Sequence, residues 1–302
     1  MDSSFGNARL TYGITPPKIS HSEERRREIA ALQSARIAAL PVDALVVYDL
    51  QDESSRTDAK RPFPFLQTID PLSYAYEYLG AVAQPKIVYR SVSGMKRAEL
   101  VAWLRRLNEL GGAAVLVGAP SQSQAVSLRL SDAYRARLEE ASGVPLGGVL
   151  IAERHHSRGG EDERVLKKLE QGCSFFISQA VYAVTESKNL LSSLYYRCLA
   201  EERPVPPILV TLSPCGSTKT LEFMNWLGVS VPLWLQNELV HAHDILEKSV
   251  DLALSGFEEL LDFAREKDIP LGCNVESVSL RKEEIEASVD LVQRVARILG
   301  RG

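Results

Sequence analysis

Little in this chain points to extreme chemistry. Cysteines number four in 302 residues, scattered at Cys173, Cys198, Cys215 and Cys273, with no Cys-x-x-Cys pair. That spacing argues against a cysteine-only zinc site and for a reduced, cytoplasmic setting. No apolar run approaches the ~20 residues of a membrane-spanning helix. The opening Met1-Asp2-Ser3-Ser4-Phe5-Gly6 lacks the basic-then-apolar character of a secretory signal. There is no basic excess: the formal charge is −4, which argues against generic nucleic-acid binding by phosphate neutralisation and leaves room for a local basic pocket. A Gly-x-Gly-x-x-Gly turn after the first strand is also missing, which disfavours an open dinucleotide-binding sheet.

What is present is alternation. Short apolar, β-rich runs recur with longer amphipathic stretches between them, the signature of a parallel sheet wrapped by helices. Strands are predicted at Arg9–Ile14, Ala44–Asp49, Lys86–Arg90, Ala113–Gly118, Leu146–Ala152, Cys173–Ser178, Pro207–Thr211 and Leu271–Glu276. Helices are predicted at Glu23–Ala39, Pro71–Ala81, Lys96–Leu110, Ser131–Ala141, Asp162–Gln171, Val184–Ala200, Ser217–Trp226 and Arg281–Leu299. An extra helical segment falls at about Asn237–Arg265. Eight such units predict a single (β/α)8 barrel domain over 1–302, with an open doubly wound sheet as the alternative. The polar stretch Gln51–Arg61 and the kink Pro62–Pro64 read as a long loop on the functional rim.

Barrel enzymes work at the C-terminal ends of their strands. Here those ends read Gly13-Ile14-Thr15, Tyr48-Asp49, Tyr89-Arg90, Gly118-Ala119, Glu153-Arg154-His155-His156, Ser178-Gln179, Thr211-Leu212-Ser213 and Asn274-Val275-Glu276. Acids, amides and hydroxyls dominate this ring. His155 and His156, adjacent on a predicted strand, would point to opposite faces, so no metal site is expected. On spacing alone Arg164 and Lys168 form a solvated helix face. The loop Ser213-Pro214-Cys215-Gly216-Ser217-Thr218-Lys219 lacks true phosphate-loop spacing. Ser217 reads there as a helix cap, and Cys215 has no evident thiolate-stabilising setting.

Several segments together resemble the methylenetetrahydrofolate reductase family. Tyr12-Gly13-Ile14-Thr15-Pro16-Pro17 resembles that family's aromatic-Glu-aromatic-x-Pro-Pro opening. Leu45-Val46-Val47-Tyr48-Asp49 resembles its second strand end, and Val115-Leu116-Val117-Gly118-Ala119-Pro120 its Leu-Arg-Gly-Asp-Pro turn. Glu153 and His155 match a Pro-Glu-x-His segment. Asp162–Lys168 followed by Gly172-Cys173-Ser174-Phe175-Phe176-Ile177-Ser178-Gln179 resembles the helix and Gly-Ala-x-x-x-Ile-Thr-Gln strand beyond it. The likeness runs along nearly the whole chain, and the Glu153–Gln179 block is its specific part.

The resemblance implies a (β/α)8 barrel that reduces methylenetetrahydrofolate with NAD(P)H, most members using FAD. By position, His155, Arg164 and Lys168 would hold the cofactor, with Gly118 beside them. Gln179 would hold the pterin, with Tyr48 and Glu153 on the substrate side; an amide can donate and accept along a heterocycle edge. The departures are specific. Gly13 stands where the family has its proton-donating glutamate, Ala119 where it has an aspartate, and Val117 where it has an arginine. Glu276 or Asp49 is then expected to supply the acid, its pKa raised by enclosure. The alternative is a folate-binding accessory or one-carbon transfer protein of the same fold, working without flavin. Self-association or a partner subunit stays open.

Overall fold

The computed structural model describes residues 5–7, 9–54, 57–119 and 126–301. Eight parallel strands close into a barrel in sequence order: β1 Leu10–Ile14, β2 Ala44–Val47, β3 Lys86–Ser91, β4 Ala113–Val117, β5 Leu146–Leu150, β6 Cys173–Ala180, β7 Ile208–Leu212 and β8 Leu271–Val275. β1 pairs with β2 on one side and β8 on the other, which completes the ring. Each predicted strand is found, with ends shifted by a residue or two.

The helices are α1 Glu23–Ala38, α2 Pro71–Ser73 continuing as a π-helical turn over Tyr74–Tyr78, α3 Arg97–Glu109, α4 Leu130–Glu140, α5 Ala152–Arg158, α6 Glu161–Glu170, α7 Val184–Ala200, α8 Thr218–Trp226, α9 Leu233–Val240, α10 Ile245–Arg265 and α11 Lys282–Ile298. Local chemistry sets many of these starts. Ser22 caps α1 by accepting from Arg25 N–H, Ser217 caps α8, and the Asp244 carboxylate accepts from Leu246 and Glu247 N–H at the start of α10. That last cap breaks the expected 237–265 helical segment into α9 and α10. No helix among the described residues is long and apolar enough to cross a membrane.

One expectation fails around residue 152. β5 stops at Leu150, and Glu153, Arg154, His155 and His156 lie on α5 instead of extending a strand. The local sequence favours this: Ala152-Glu153-Arg154 are good helix formers, and Gly159 and Gly160, at φ +68° and +71°, end α5 and turn the chain into α6. His155 and His156 are therefore about 100° apart around a helix, not on opposite faces of a sheet.

Alternation along the strands sorts side chains into two layers. Leu10, Tyr12 and Ile14 of β1 face outward into the large cluster between sheet and helices. The inward cluster contains Ala44, Val46, Ile87, Tyr89, Ala113, Val115, Phe175, Ile177 and Leu209, with Phe5 among them and Tyr48, Val117 and Val149 packed against it. Phe175 fills the barrel centre because Gly147 makes room: a Cβ there would lie 2.5 Å from the Phe175 ring. Phe175→Ala is expected to cost about 3–5 kcal/mol of stability, read as a lowered denaturant midpoint with unchanged slope.

Candidate functional site

The inward parity that places Phe175 and Ile177 in the barrel continues at the mouth. On β1 the inward positions are Thr11 and Gly13; after β2 comes Tyr48, and around β8 come Asn274 and Glu276. Gly13 is the pivot of this floor. A Cβ on residue 13 would meet Tyr48 Cε2 at 2.7 Å and Glu276 Cβ at 3.1 Å. The phenol ring and the carboxylate stem therefore occupy the space that any larger side chain on β1 would need.

A directional hydrogen-bond chain runs through this floor. Thr11 Oγ1 donates to Asn274 Oδ1 at 2.8 Å. Asn274 Nδ2 donates to Tyr48 Oη at 2.9 Å and to Thr211 Oγ1 at 3.2 Å. Thr211 Oγ1 in turn donates to the Ser178 carbonyl at 2.7 Å. Because Tyr48 accepts from Asn274, its own proton is directed to Glu276, with which it hydrogen-bonds. Thr11, Thr211 and Asn274 are buried, and each uses its polar atoms in this chain, so the floor is rigid. The Tyr89 ring packs on Tyr48 with centroids 4.7 Å apart.

Glu276 stands where protein meets the mouth. Its desolvation outweighs the hydrogen bond from Tyr48, and its pKa is pushed up to about 7. The Tyr48 phenol is raised well above its usual value, first by burial and then by the neighbouring Glu276 charge. Near neutral pH the carboxyl can thus carry a proton and release it, the property required of a general acid.

The other expected residues distribute differently. Gln179 donates from Nε2 to the Leu227 carbonyl at 3.0 Å, which holds its amide on the rim and leaves Oε1 without a partner among the described residues. Asp49, one residue beyond Tyr48, accepts from Ser91 N–H at 2.8 Å, and burial raises its pKa. It lines a separate cleft. Glu153 accepts from Ser230 N–H at 3.2 Å, and burial raises its carboxyl too. Gly118 faces Leu130 of α4. Pro120 lies outside the described residues.

The structure puts His155, Arg164 and Lys168 among the helices. His155 Nε2 lies 3.1 Å from Ser193 Oγ on α7, and Nδ1 lies 3.5 Å from Asp162 on α6. Arg164 and Arg154 both pair with Glu161, at 3.2 and 3.3 Å, and Glu161 is fully buried. Lys168 donates to the Val149 carbonyl, its stem running past Gly148 on the outer face of β5, and burial lowers its pKa. Arg164 and Lys168 are thus not one solvated face: Lys168 is largely covered. Cys215 is buried, its thiol pushed up to about 12 by that burial, which keeps it unreactive. Among the described residues no group of three or more His, Cys, Asp or Glu could hold a metal ion.

Sequence reasoning named Tyr48 and Glu276 but missed Thr11, Asn274, Thr211 and Tyr89 as their support. Their inward parity was the available signal. The raised Glu276 pKa also predicts a pH signature. The folded state holds this proton more tightly than the unfolded chain, about 7 against 4.5, so stability present below pH 4.5 is lost as pH rises through 7. Relative to Glu276→Gln, the wild type is expected to lose at most about 3 kcal/mol between pH 5 and pH 8. Denaturation curves of both proteins at the two pH values check this; parallel behaviour would show that Glu276 has an ordinary pKa.

No family model and no curated protein matches the sequence. Solved structures do. A GH113 β-1,4-mannanase is similar at 10% identity and TM-score 0.51, covering 95% of this chain and 97% of its own, a likeness of fold alone. An uncharacterised protein from Clostridium thermocellum, which binds two copies of 5-methyl-5,6,7,8-tetrahydrofolic acid, is 45% identical with TM-score 0.85. The match covers 97% of this chain and 96% of that one. Identity of that depth over the whole barrel decides kinship: this chain belongs to the same protein family as the Clostridium thermocellum protein.

Proposed function

We propose that this protein binds reduced folate at the mouth of its barrel and takes part in one-carbon transfer, with Glu276 as the acid that protonates a folate nitrogen. The observation that carries the reading is the 45% identity, over 97% of the chain, to a protein that binds 5-methyltetrahydrofolate. The floor supports it chemically. When a one-carbon group passes from a folate nitrogen to a nucleophilic acceptor bound as second substrate, the acceptor's electron pair forms the new bond to carbon, the carbon–nitrogen pair stays on nitrogen, and that nitrogen needs a proton. Glu276 holds a transferable proton near pH 7 and is oriented by Tyr48, which is itself fixed by Asn274. Gln179, with Oε1 unpartnered among the described residues, would accept from the pterin edge. Tyr48 and Tyr89, packed ring on ring, form a largely buried aromatic pair in the floor.

The finer reading is a reductase akin to methylenetetrahydrofolate reductases, using NAD(P)H as hydride source with or without FAD. It would keep the same acid. Two of the residues that the resemblance assigns to a flavin are already used within the protein: Arg164 sits on Glu161, and Lys168 is spent on the Val149 carbonyl, while His155 is bonded at Nε2 to Ser193 and keeps a buried Nδ1 without a hydrogen bond. Folate-dependent transfer, which needs no flavin, therefore suits these residues better than flavin-dependent reduction.

Calorimetric titration of the purified protein with 5-methyltetrahydrofolate should show saturable binding; its absence at millimolar ligand would refute the reading. Gln179→Ala should weaken binding about tenfold, the worth of one buried hydrogen bond, while leaving the fold intact. Glu276→Gln should preserve affinity within a few-fold but remove turnover. With the wild type, the rate should fall as pH rises through about 7 as the acid loses its proton. A yellow protein with NADH-dependent reduction of methylenetetrahydrofolate would instead favour the reductase.

A further inference from the structure

A second cleft opens on the outer side of the same strand end. It has a volume of ≈ 380 Å³, within the range of small-molecule sites, and lies between the loop after β2, the start of α2 and the end of β3. Its charged groups are Asp49, Asp52, Asp70 and Arg90, with the polar Gln51, Gln67 and Thr68 beside them, and its apolar wall includes Ile19, Leu50 and Phe65. Ile19 and Leu50 are 52% and 39% exposed, so their side chains are accessible from the cleft. Backbone bonds from Ile19 N–H to Gln67 and from Ile69 N–H to Pro17 fix the wall in place.

The polar groups present a specific pattern of unused atoms. Each oxygen of Asp70 already has a partner: Oδ1 caps α2 by accepting from Ser73 N–H at 2.9 Å, and Oδ2 pairs with Arg90 Nη1 at 2.7 Å. Arg90 Nε is directed to Met95 Sδ at 3.2 Å, which leaves Nη2 without a partner among the described residues. Asp49 gives Oδ2 to Ser91 N–H, and the rest of its carboxylate lone pairs stay open. The cleft thus sets carboxylate acceptors beside a guanidinium donor. The 2-amino-4-oxopyrimidine edge of a pterin carries the complement, two N–H donors followed by a carbonyl acceptor.

We infer that this cleft is a second pterin site, in which Asp49 accepts from the ring amino and ring N–H groups, Arg90 donates to the ring carbonyl, and Ile19, Leu50 and Phe65 cover the ring. The inference rests on the folate reading above and goes beyond it by locating a second molecule. The acids beside the cleft, Asp52 included, disfavour an anionic tail, so the aminobenzoylglutamate part points to solvent. A tetrahydropterin lacking that tail then binds the cleft about as well as the whole folate does.

The experiment is calorimetric titration of the full chain with 5-methyltetrahydrofolate, with circular dichroism confirming the fold of each variant. The wild type should take two equivalents. Asp49→Asn keeps an acceptor for Ser91 N–H but loses the charge, and should lose one equivalent or weaken it at least tenfold. Leu50→Arg, at an exposed position, should block the same equivalent sterically, whereas Gln179→Ala should weaken only the other. A wild-type stoichiometry of one, or two equivalents with unchanged affinities in both Asp49→Asn and Leu50→Arg, would overturn the second site and leave the mouth reading standing. No binding at all would overturn both.

Discussion

Everything at the mouth depends on the close approach of Tyr48 to Gly13. With hydrogen as its side chain, residue 13 lets a phenol ring lie where a Cβ would come within 2.7 Å. Any other residue would push the ring aside, and with it the oxygen that links Asn274 to Glu276. The two strands flanking β1 in the barrel are β2 and β8, and they supply the two groups that use the vacated space. In the family that the sequence resembles, the acid projects from the first strand itself. Here the same region of the mouth receives a carboxyl from the adjacent strand.

The chain behind Glu276 explains why only one group there exchanges protons near neutrality. Asn274 is held at its oxygen by Thr11 and at its nitrogen by Thr211 and Tyr48, so its amide has one orientation. Thr211 is fixed by the Ser178 carbonyl. A network whose members are all satisfied is stiff, and its direction forces the Tyr48 proton toward the carboxylate. Burial raises Tyr48 and Tyr89 alike, which removes them as acids and leaves Glu276 as the titrating end. Pre-organised donors of this kind stabilise charge without reorganising when it changes.

The barrel was legible in the sequence because eight apolar runs of strand length alternate with amphipathic stretches, and Tyr48, Gln179 and Glu276 because they sit near strand ends. The support around them was less visible. Thr11 and Asn274 lie within strands, and only the inward register set by Gly13 and Val46 tells which of their neighbours they meet. His155 and Lys168 illustrate the opposite limit. Their residue types suit ligand binding, but α5 replaces the strand extension that would have aimed His155 at the mouth. Gly148, on the outward face of β5, lets the Lys168 stem lie against the sheet. A motif reports residue types in order; it does not report which layer they enter.

That same layer rule separates Tyr48 from Asp49. Successive side chains at a strand end point to opposite faces, so one peptide bond divides the mouth from the outer cleft. The division is held from both sides: Tyr48 N–H donates to the Ile14 carbonyl on β1, while the Asp49 carboxylate takes Ser91 N–H at the end of β3. A rotation of this short segment large enough to move one side chain would break bonds to both neighbouring strands. The two positions proposed for ligands on this strand end are therefore close without being interchangeable. The aromatic surface and the titrating acid belong to one, and the fixed carboxylate–guanidinium edge belongs to the other. Of the two acids on this segment and its neighbour, Glu276 stands on a rigid donor chain, whereas Asp49, also raised by burial, is tied to the Ser91 N–H. The outer cleft, with its carboxylate tied to backbone and its arginine paired, has no equivalent donor chain among the described residues.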